Sequence, residues 1–305
     1  MASQSAKVVH AALAGNVVIA VAKFAAFGLT GSSAMLTEAI HSTVDTTDQV
    51  LLLIGEARSQ RAPDANHPLG YGMEIYFWSF VVAVMVLMLG GVVSLYDGVT
   101  HILKPEPLAS PFIGFGVLAF AAVFEGASFA FGYREYRRIV QGRRTRLWAF
   151  IKLSKDPSLY TTLLEDSAAL IGLVLAAIGQ AASVGLHILW ADGAASVAIG
   201  LLMTAVAAVL ANETRSLIIG EGVTPLVLSR LRKVLEAEGR VADIVEISTL
   251  HLGPRSILVA LTVRFRPDLT IADVSQTIRD ITAAMQEAED RIAYVYVRPA
   301  SVTEP

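Results

Sequence analysis

Six stretches of this chain, at about 8–29, 34–57, 77–102, 111–133, 159–186 and 190–212, are long and largely apolar. Crossing a hydrocarbon core of roughly 30 Å takes about 20 such residues in a helix, so six membrane-spanning helices are expected. Composition agrees: 54% of the 305 residues are hydrophobic and 17% are charged, outside the balance of a soluble domain. The excess lies before about residue 220, and the remainder reads as a soluble domain. Two domains are therefore expected, a transmembrane domain over 1–215 and a second domain over 216–305.

The second stretch departs from the others. Its sequence AMLTEAIHSTVDTTDQVLLLIGEA carries Glu38, His41, Asp45, Asp48 and Glu56. At ~100° per residue the first four fall within an arc of about 80°, forming one polar stripe along one helix. An ionisable group at mid-membrane costs ~2.5–3.5 kcal/mol on insertion scales, and such a cluster is by default a binding site or pathway. His41 and Asp45 are four apart and can converge on one ion. A neutral imidazole with a carboxylate suits a divalent cation. The fifth stretch, YTTLLEDSAALIGLVLAA, adds Glu165 and Asp166, with Thr162 one turn before Asp166. If the two helices pack together, His41, Asp45 and Asp166 make a three-ligand site that Asp48, Thr162, Glu165 or water completes. The competing reading is that the acids pair with internal cations such as Lys23, or line a water-filled cavity.

Several features narrow the rest. The chain has no cysteine, which leaves nitrogen and oxygen as the only metal donors. A net charge of −3 gives no reason to expect nucleic acid as a partner. The connections after the first and fifth stretches carry no Lys or Arg, and the one after the third carries only Lys104; the opposite side receives Lys7, Arg58, Arg61, Arg134, Arg137, Arg138, Arg143, Arg144, Arg146, Lys152, Lys155 and Arg215. By the positive-inside rule both termini are expected in the cytoplasm. The N-terminus runs into a full spanning segment without an obvious cleavage site and reads as a first helix. Glu125, in the fourth stretch, is a candidate for proton handling or for an interhelical hydrogen bond. Asp64 and His67, in the loop RAPDANHPLGYG, are candidates for a second ion or for turn formation. His10, His101 and His187 lie near span ends and His251 stands alone at a predicted strand end.

Beyond Gly222 the periodicity changes to helix (225–239), two strands about a Gly-Pro turn, an amphipathic helix over 271–290 and a last strand. This order predicts a small two-layer α+β domain, with no nucleophile, phosphate loop or acid–base pair in it.

The chain resembles the cation diffusion facilitator family. The resemblance is carried by TEAIHSTVD in the second stretch, HPLGYGMEIYFW opening the third, the acidic fifth around Asp166, WADGAASVAIGLL with Asp192 opening the sixth, and GEG at 220–222. It implies six spans followed by a ferredoxin-like cytoplasmic domain, and a homodimer in the lipid bilayer of the cell inner or plasma membrane. It also implies export of a divalent metal, usually zinc, in exchange for protons. No permanent cofactor and no enzyme activity are implied. The implied transport site is His41, Asp45 and Asp166. Many zinc-transporting members have histidine where this chain has Thr162, so the fourth ligand and the metal stay open among Zn, Mn, Fe(II), Co and Ni; the acidic surplus of Asp48 and Glu165 leans towards harder ions. LLEDSAALIGL and DTTDQ resemble a subgroup that includes a divergent animal zinc-transporter branch. Tyr71 stands where the family's loop often has histidine, and the tail keeps only His251, which argues against metal-bridged sensing there. A gated cation channel and an intramembrane metal-dependent hydrolase are the alternatives; the second would need a motif such as HExxH, which is absent.

Overall fold

A computed structural model describes residues 2–140 and 147–300. Arg143, Arg144 and Arg146 lie outside the described residues, as do the side chains of Lys7 and His10. The chain divides into two compact units, Met1–Gly55 with Phe77–Thr214, and Glu56–Tyr76 with Arg215–Pro305.

The first unit is helical. Its elements are α1 (Ala2–Thr30), α2 (Ser33–Ser59), α3 (Glu74–Met85), a π-helical segment (Val86–Val93), α4 (Ser94–Leu103), α5 (Pro111–Ile139), α6 (Leu147–Leu153), α7 (Pro157–Gly185) and α8 (Ala191–Ile219). Four continuous helical stretches are long and apolar enough to cross a membrane: Glu74–Leu103, Pro111–Ile139, Pro157–Gly185 and Ala191–Ile219. The described apolar part of α1 is the shorter Gly15–Thr30, and α2, 27 residues long, carries the polar stripe. Nothing in the sequence of the third stretch announces its π-helical turn.

Local chemistry explains the helix ends. Gly31 sits at φ +68° and donates its N–H to the Phe27 carbonyl at 2.8 Å, a left-handed stop that glycine adopts without a Cβ penalty. Ser32 then caps α2, its hydroxyl oxygen accepting the Met35 N–H at 3.0 Å. Asp156 caps α7 through the Ser158 N–H at 3.1 Å, with Pro157 in the first helical position.

Met35, Val44, Val82, Tyr160, Leu163, Ile199 and Met203 belong to one apolar cluster that joins the helices of this unit, while α5 packs along α7 and α1 against α5. The approach of α4 to α8 is closest at glycine: a Cβ on Gly98 would stand 2.8 Å from the Gly193 carbonyl, so the two backbones touch there only because both residues lack side chains.

The second unit holds α9 (Pro225–Glu236), β1 (Val241–Gly253), β2 (Ser256–Phe265), α10 (Ile271–Ala288) and β3 (Ile292–Pro299). The sheet order is β1-β2-β3, with β1 antiparallel and β3 parallel to β2. Ile257, Val259, Leu261 and Val263 alternate inwards along β2 and meet Val227, Leu231 and Leu235 of α9 and Ile281 and Met285 of α10. That is the period of two against the period of four that a helix-on-sheet core requires. A capping box between Thr270 and Asp273 starts α10.

Candidate metal centre

The stripe on α2 faces inwards. Glu38 and Asp48 are wholly buried and His41 is 1% exposed; the side chain of Asp45 keeps 14%. Facing them are Lys23 of α1, Glu125 and Ser128 of α5, and Glu165 and Asp166 of α7; Lys23, Glu125, Glu165 and Asp166 are all buried.

Two subsets form. In the first, Nε2 of His41 lies 3.5 Å from Oδ2 of Asp45, and neither imidazole nitrogen has a hydrogen-bond partner among the described residues. Asp166 is oriented by Ser128, whose hydroxyl donates to Oδ2 at 2.8 Å. In the second, ligand oxygens of Asp45, Asp48 and Glu165 all lie within 4.8 Å of one another. This is the set of three that converges tightly among the described residues; His41 stands beside it through Asp45, and Asp166 points to α5. Thr162 donates its hydroxyl to the Ser158 carbonyl at 3.0 Å and so turns back on its own helix.

Lys23 supplies an internal countercharge. Its ammonium donates to Oε2 of Glu38 at 2.9 Å and to Oγ of Ser42 at 2.7 Å, and Oε1 of Glu125 lies 3.8 Å away. Glu38 is therefore taken up by the lysine. Glu125, with Asn16, Ile19, Ser42 and Asp45, lines a narrow crevice that reaches the first subset.

A second polar group secures the other end of α2. Asp192 of α8 accepts the Ser32 hydroxyl at 2.7 Å and the Ala34 N–H at 3.2 Å, with Nε2 of His101 at 4.0 Å. Its carboxylate meets the unsatisfied amides at the helix N-terminus, where negative charge is favoured.

In the second unit, Asp64 is occupied by its own loop. Oδ1 accepts the N–H groups of Asn66 and His67 at 2.9 and 2.8 Å, and Oδ2 accepts the Tyr71 hydroxyl at 2.6 Å. The Tyr71 bond, followed by the backbone bond from His67, holds the Asp64 carboxyl below its ordinary value. The turn-forming reading of this segment accounts for these contacts. His251 donates its backbone N–H to the Glu221 carbonyl at 3.0 Å.

Sequence reasoning had not singled out Ser42, Ser128 or Thr161. Ser128 follows Glu125 by one turn of α5 and Thr161 precedes Glu165 by one turn of α7, so helical spacing from an acid was the signal available.

Comparison with known proteins decides the family. A profile of the cation efflux transmembrane domain matches residues 9–219. The chain belongs to the cation efflux family. This is the cation diffusion facilitator family that the motifs resemble, and membership makes the chain a membrane protein of a transporter family, not an enzyme. It is similar to the mitochondrial proton-coupled zinc antiporter of Mus musculus, 34% identical over 81% of this chain and 44% of the relative. Metal tolerance protein C4 of Arabidopsis thaliana is 27% identical over 92% of this chain and 62% of its own length. The manganese efflux system protein MneP of Bacillus subtilis is 25% identical over 95% of both. The chain thus spans about half the length of the zinc antiporters it matches. Their names place those relatives in the mitochondrion, and the expectation of an inner or plasma membrane draws no support from them.

Proposed function

We propose that this cation efflux protein exports a divalent transition metal in exchange for protons, by alternating access. The observation that carries the reading is the His41–Asp45 pair: a buried imidazole neither of whose nitrogens is hydrogen-bonded among the described residues, with Nε2 3.5 Å from a carboxylate, inside apolar helices. A buried imidazole without a hydrogen bond is costly, and a metal ion or a proton shared with Asp45 resolves that cost. Moving a bare divalent ion through hydrocarbon is prohibitive; two carboxylates and a neutral imidazole cancel its charge and replace its waters.

The transport site we assign is His41, Asp45 and Asp166, with Asp48, Thr162 and Glu165 as the residues from which coordination is completed. Ser128 orients Asp166 as metal-site carboxylates are oriented elsewhere. The same donors bind protons when the metal is absent, so the two cargoes compete for one site. Exposing that site alternately to the two sides makes an antiporter, and protons entering from the far side release the metal there. Six helices cross the membrane in this reading, with both termini on the basic, cytoplasmic side. The tail is a ferredoxin-like domain on which two copies dimerise. Zinc leads as cargo because the mixed N/O donors suit it and because relatives at 31–34% identity are named as zinc antiporters. Manganese follows, from the acidic surplus and the name of the relative from Bacillus subtilis.

The test is metal flux into proteoliposomes under an imposed pH gradient, comparing Zn, Mn, Fe(II), Co and Ni for the wild type and Asp45→Ala. Flux of one metal that requires both the gradient and Asp45 is the expected result and names the cargo. Gradient-independent flux, or flux undiminished in a folded Asp45→Ala protein, overturns it.

A further inference from the structure

The acidic surplus is itself organised. Asp48 is wholly buried, and the group its carboxylate meets within hydrogen-bond reach is another acid, Glu165, so that only a shared proton or a cation can join them; Oδ1 of Asp45 and Oε1 of Glu165 have no donor among the described residues. Three carboxylates within 4.8 Å, with no cationic side chain between them among the described residues, repel one another when ionised and need protons or a cation between them.

A separate observation comes from α7. A threonine within a helix commonly returns its hydroxyl to the carbonyl four residues back. Thr43, Thr46, Thr47 and Thr162 all do so here. Thr161 does not: it is 1% exposed and its hydroxyl oxygen has no partner among the described residues. It lies one turn before Glu165, and i,i+4 spacing puts it on the same face of the helix, so a buried hydroxyl with no partner among the described residues is within one helical turn of the carboxylates. Nothing in the transport site as assigned above uses it.

We propose that Asp45, Asp48 and Glu165, joined by the Thr161 hydroxyl, form a second divalent-cation station built only of oxygen, which shares Asp45 with the His41–Asp45–Asp166 site. Asp48 follows Asp45 by three residues, about 4.5 Å along the axis, towards the Arg58 end of α2. The all-oxygen donor set suits a hard ion such as Mn(II), whereas the imidazole-containing set favours zinc. An ion passes from one station to the other by exchanging Asp48 and Glu165 for His41 and Asp166 while Asp45 keeps hold, so it is never bare. The direction of that passage rests on the transport reading; the existence of the station does not.

The experiment is metal binding to the purified full chain in detergent, without a gradient, read by Mn(II) electron paramagnetic resonance and zinc X-ray absorption. His41→Ala is expected to keep Mn(II) binding, weakened by less than the roughly tenfold that even an outer partner of a metal ligand is worth, and to bind zinc with an oxygen-only shell. Asp48→Asn with Glu165→Gln is expected to lose Mn(II) affinity by at least about tenfold, and the zinc it still binds is expected to keep the His41 imidazole in its shell, with water in any coordination position the two acids filled. The proposal is overturned if His41→Ala loses Mn(II) as completely as Asp45→Ala does, or if the double variant binds Mn(II) like the wild type. Should the double variant fail to fold, Thr161→Val carries the test: weaker Mn(II) with unchanged zinc supports the station, and no change, or equal change in both, overturns it. A wild type that binds at both stations yet moves no metal refutes the antiport reading and leaves the second station standing.

Discussion

Replacing Lys23 by methionine removes the only cation within hydrogen-bond distance of Glu38 among the described residues. The ammonium is wholly buried and bonded to Glu38 at 2.9 Å and Ser42 at 2.7 Å. Methionine matches the length of the lysine stem but leaves Glu38 as an uncompensated buried acid. Breaking a buried ion pair from one side costs about 3–5 kcal/mol. Unfolded states within lipid find substitute partners and lower such penalties, so a loss of about 3 kcal/mol is expected. Glu38→Gln strands the ammonium and should cost a similar amount, softened by Glu125 at 3.8 Å. Combining the two removes both charges, and the double variant should return to within about 1 kcal/mol of the wild type. Reversible unfolding of the detergent-solubilised protein by SDS, followed by helical circular dichroism, gives all three numbers and hence the coupling energy. If the two single losses simply add in the double variant, the pair is not a unit and the account of Lys23 as the countercharge of Glu38 fails.

Three more outcomes are expected. Ser128→Ala frees Asp166 from its 2.8 Å hydrogen bond and should weaken zinc binding by about 10–100-fold, measured by competition with a chelating dye, with little change in melting temperature. Gly98→Ala forces a Cβ against the Gly193 carbonyl, and the separation of α4 from α8 should destabilise the protein by about 1–3 kcal/mol in the same SDS titration. The loop around Asp64 should loosen in acid: its carboxyl is held below the ordinary 3.8, chiefly by the Tyr71 hydroxyl, so its contribution is present above that value and lost as the pH falls through the lowered one. Amide exchange across residues 64–71 reports this, and in Tyr71→Phe the loss should begin at higher pH.

The sequence carried the polar stripe well, because angular position on a helix follows directly from residue number. Glu38, His41 and Asp48 are buried on one face of α2 as their spacing requires. The alternation along β2 and the capping of α10 at Thr270 were equally readable, being local. What spacing does not contain is which neighbouring helix each residue meets. Lys23 was a possible partner for any of the acids, and only the packing of α1 against α2 pairs it with Glu38. Thr162 drew attention because it precedes Asp166 by one turn, yet its hydroxyl proton goes to the Ser158 carbonyl, whereas the Thr161 hydroxyl has no partner among the described residues. The choice between adjacent hydroxyls is made by side-chain rotamer and packing, which helical spacing alone does not contain.

Glu165 and Asp166 are consecutive, so their side chains leave α7 about 100° apart. One meets the acids of α2 and the other the Ser128 hydroxyl of α5. Spin of α7 about its own axis is therefore the motion to which this centre is most sensitive: a turn of the helix by one residue's angle carries one acid into the place of the other, whereas sliding or tilting by the same distance leaves each with its own neighbour. A single-residue insertion or deletion in the turn between α6 and α7 is far harsher than its position suggests, because it redistributes negative charge between two faces without altering composition at all.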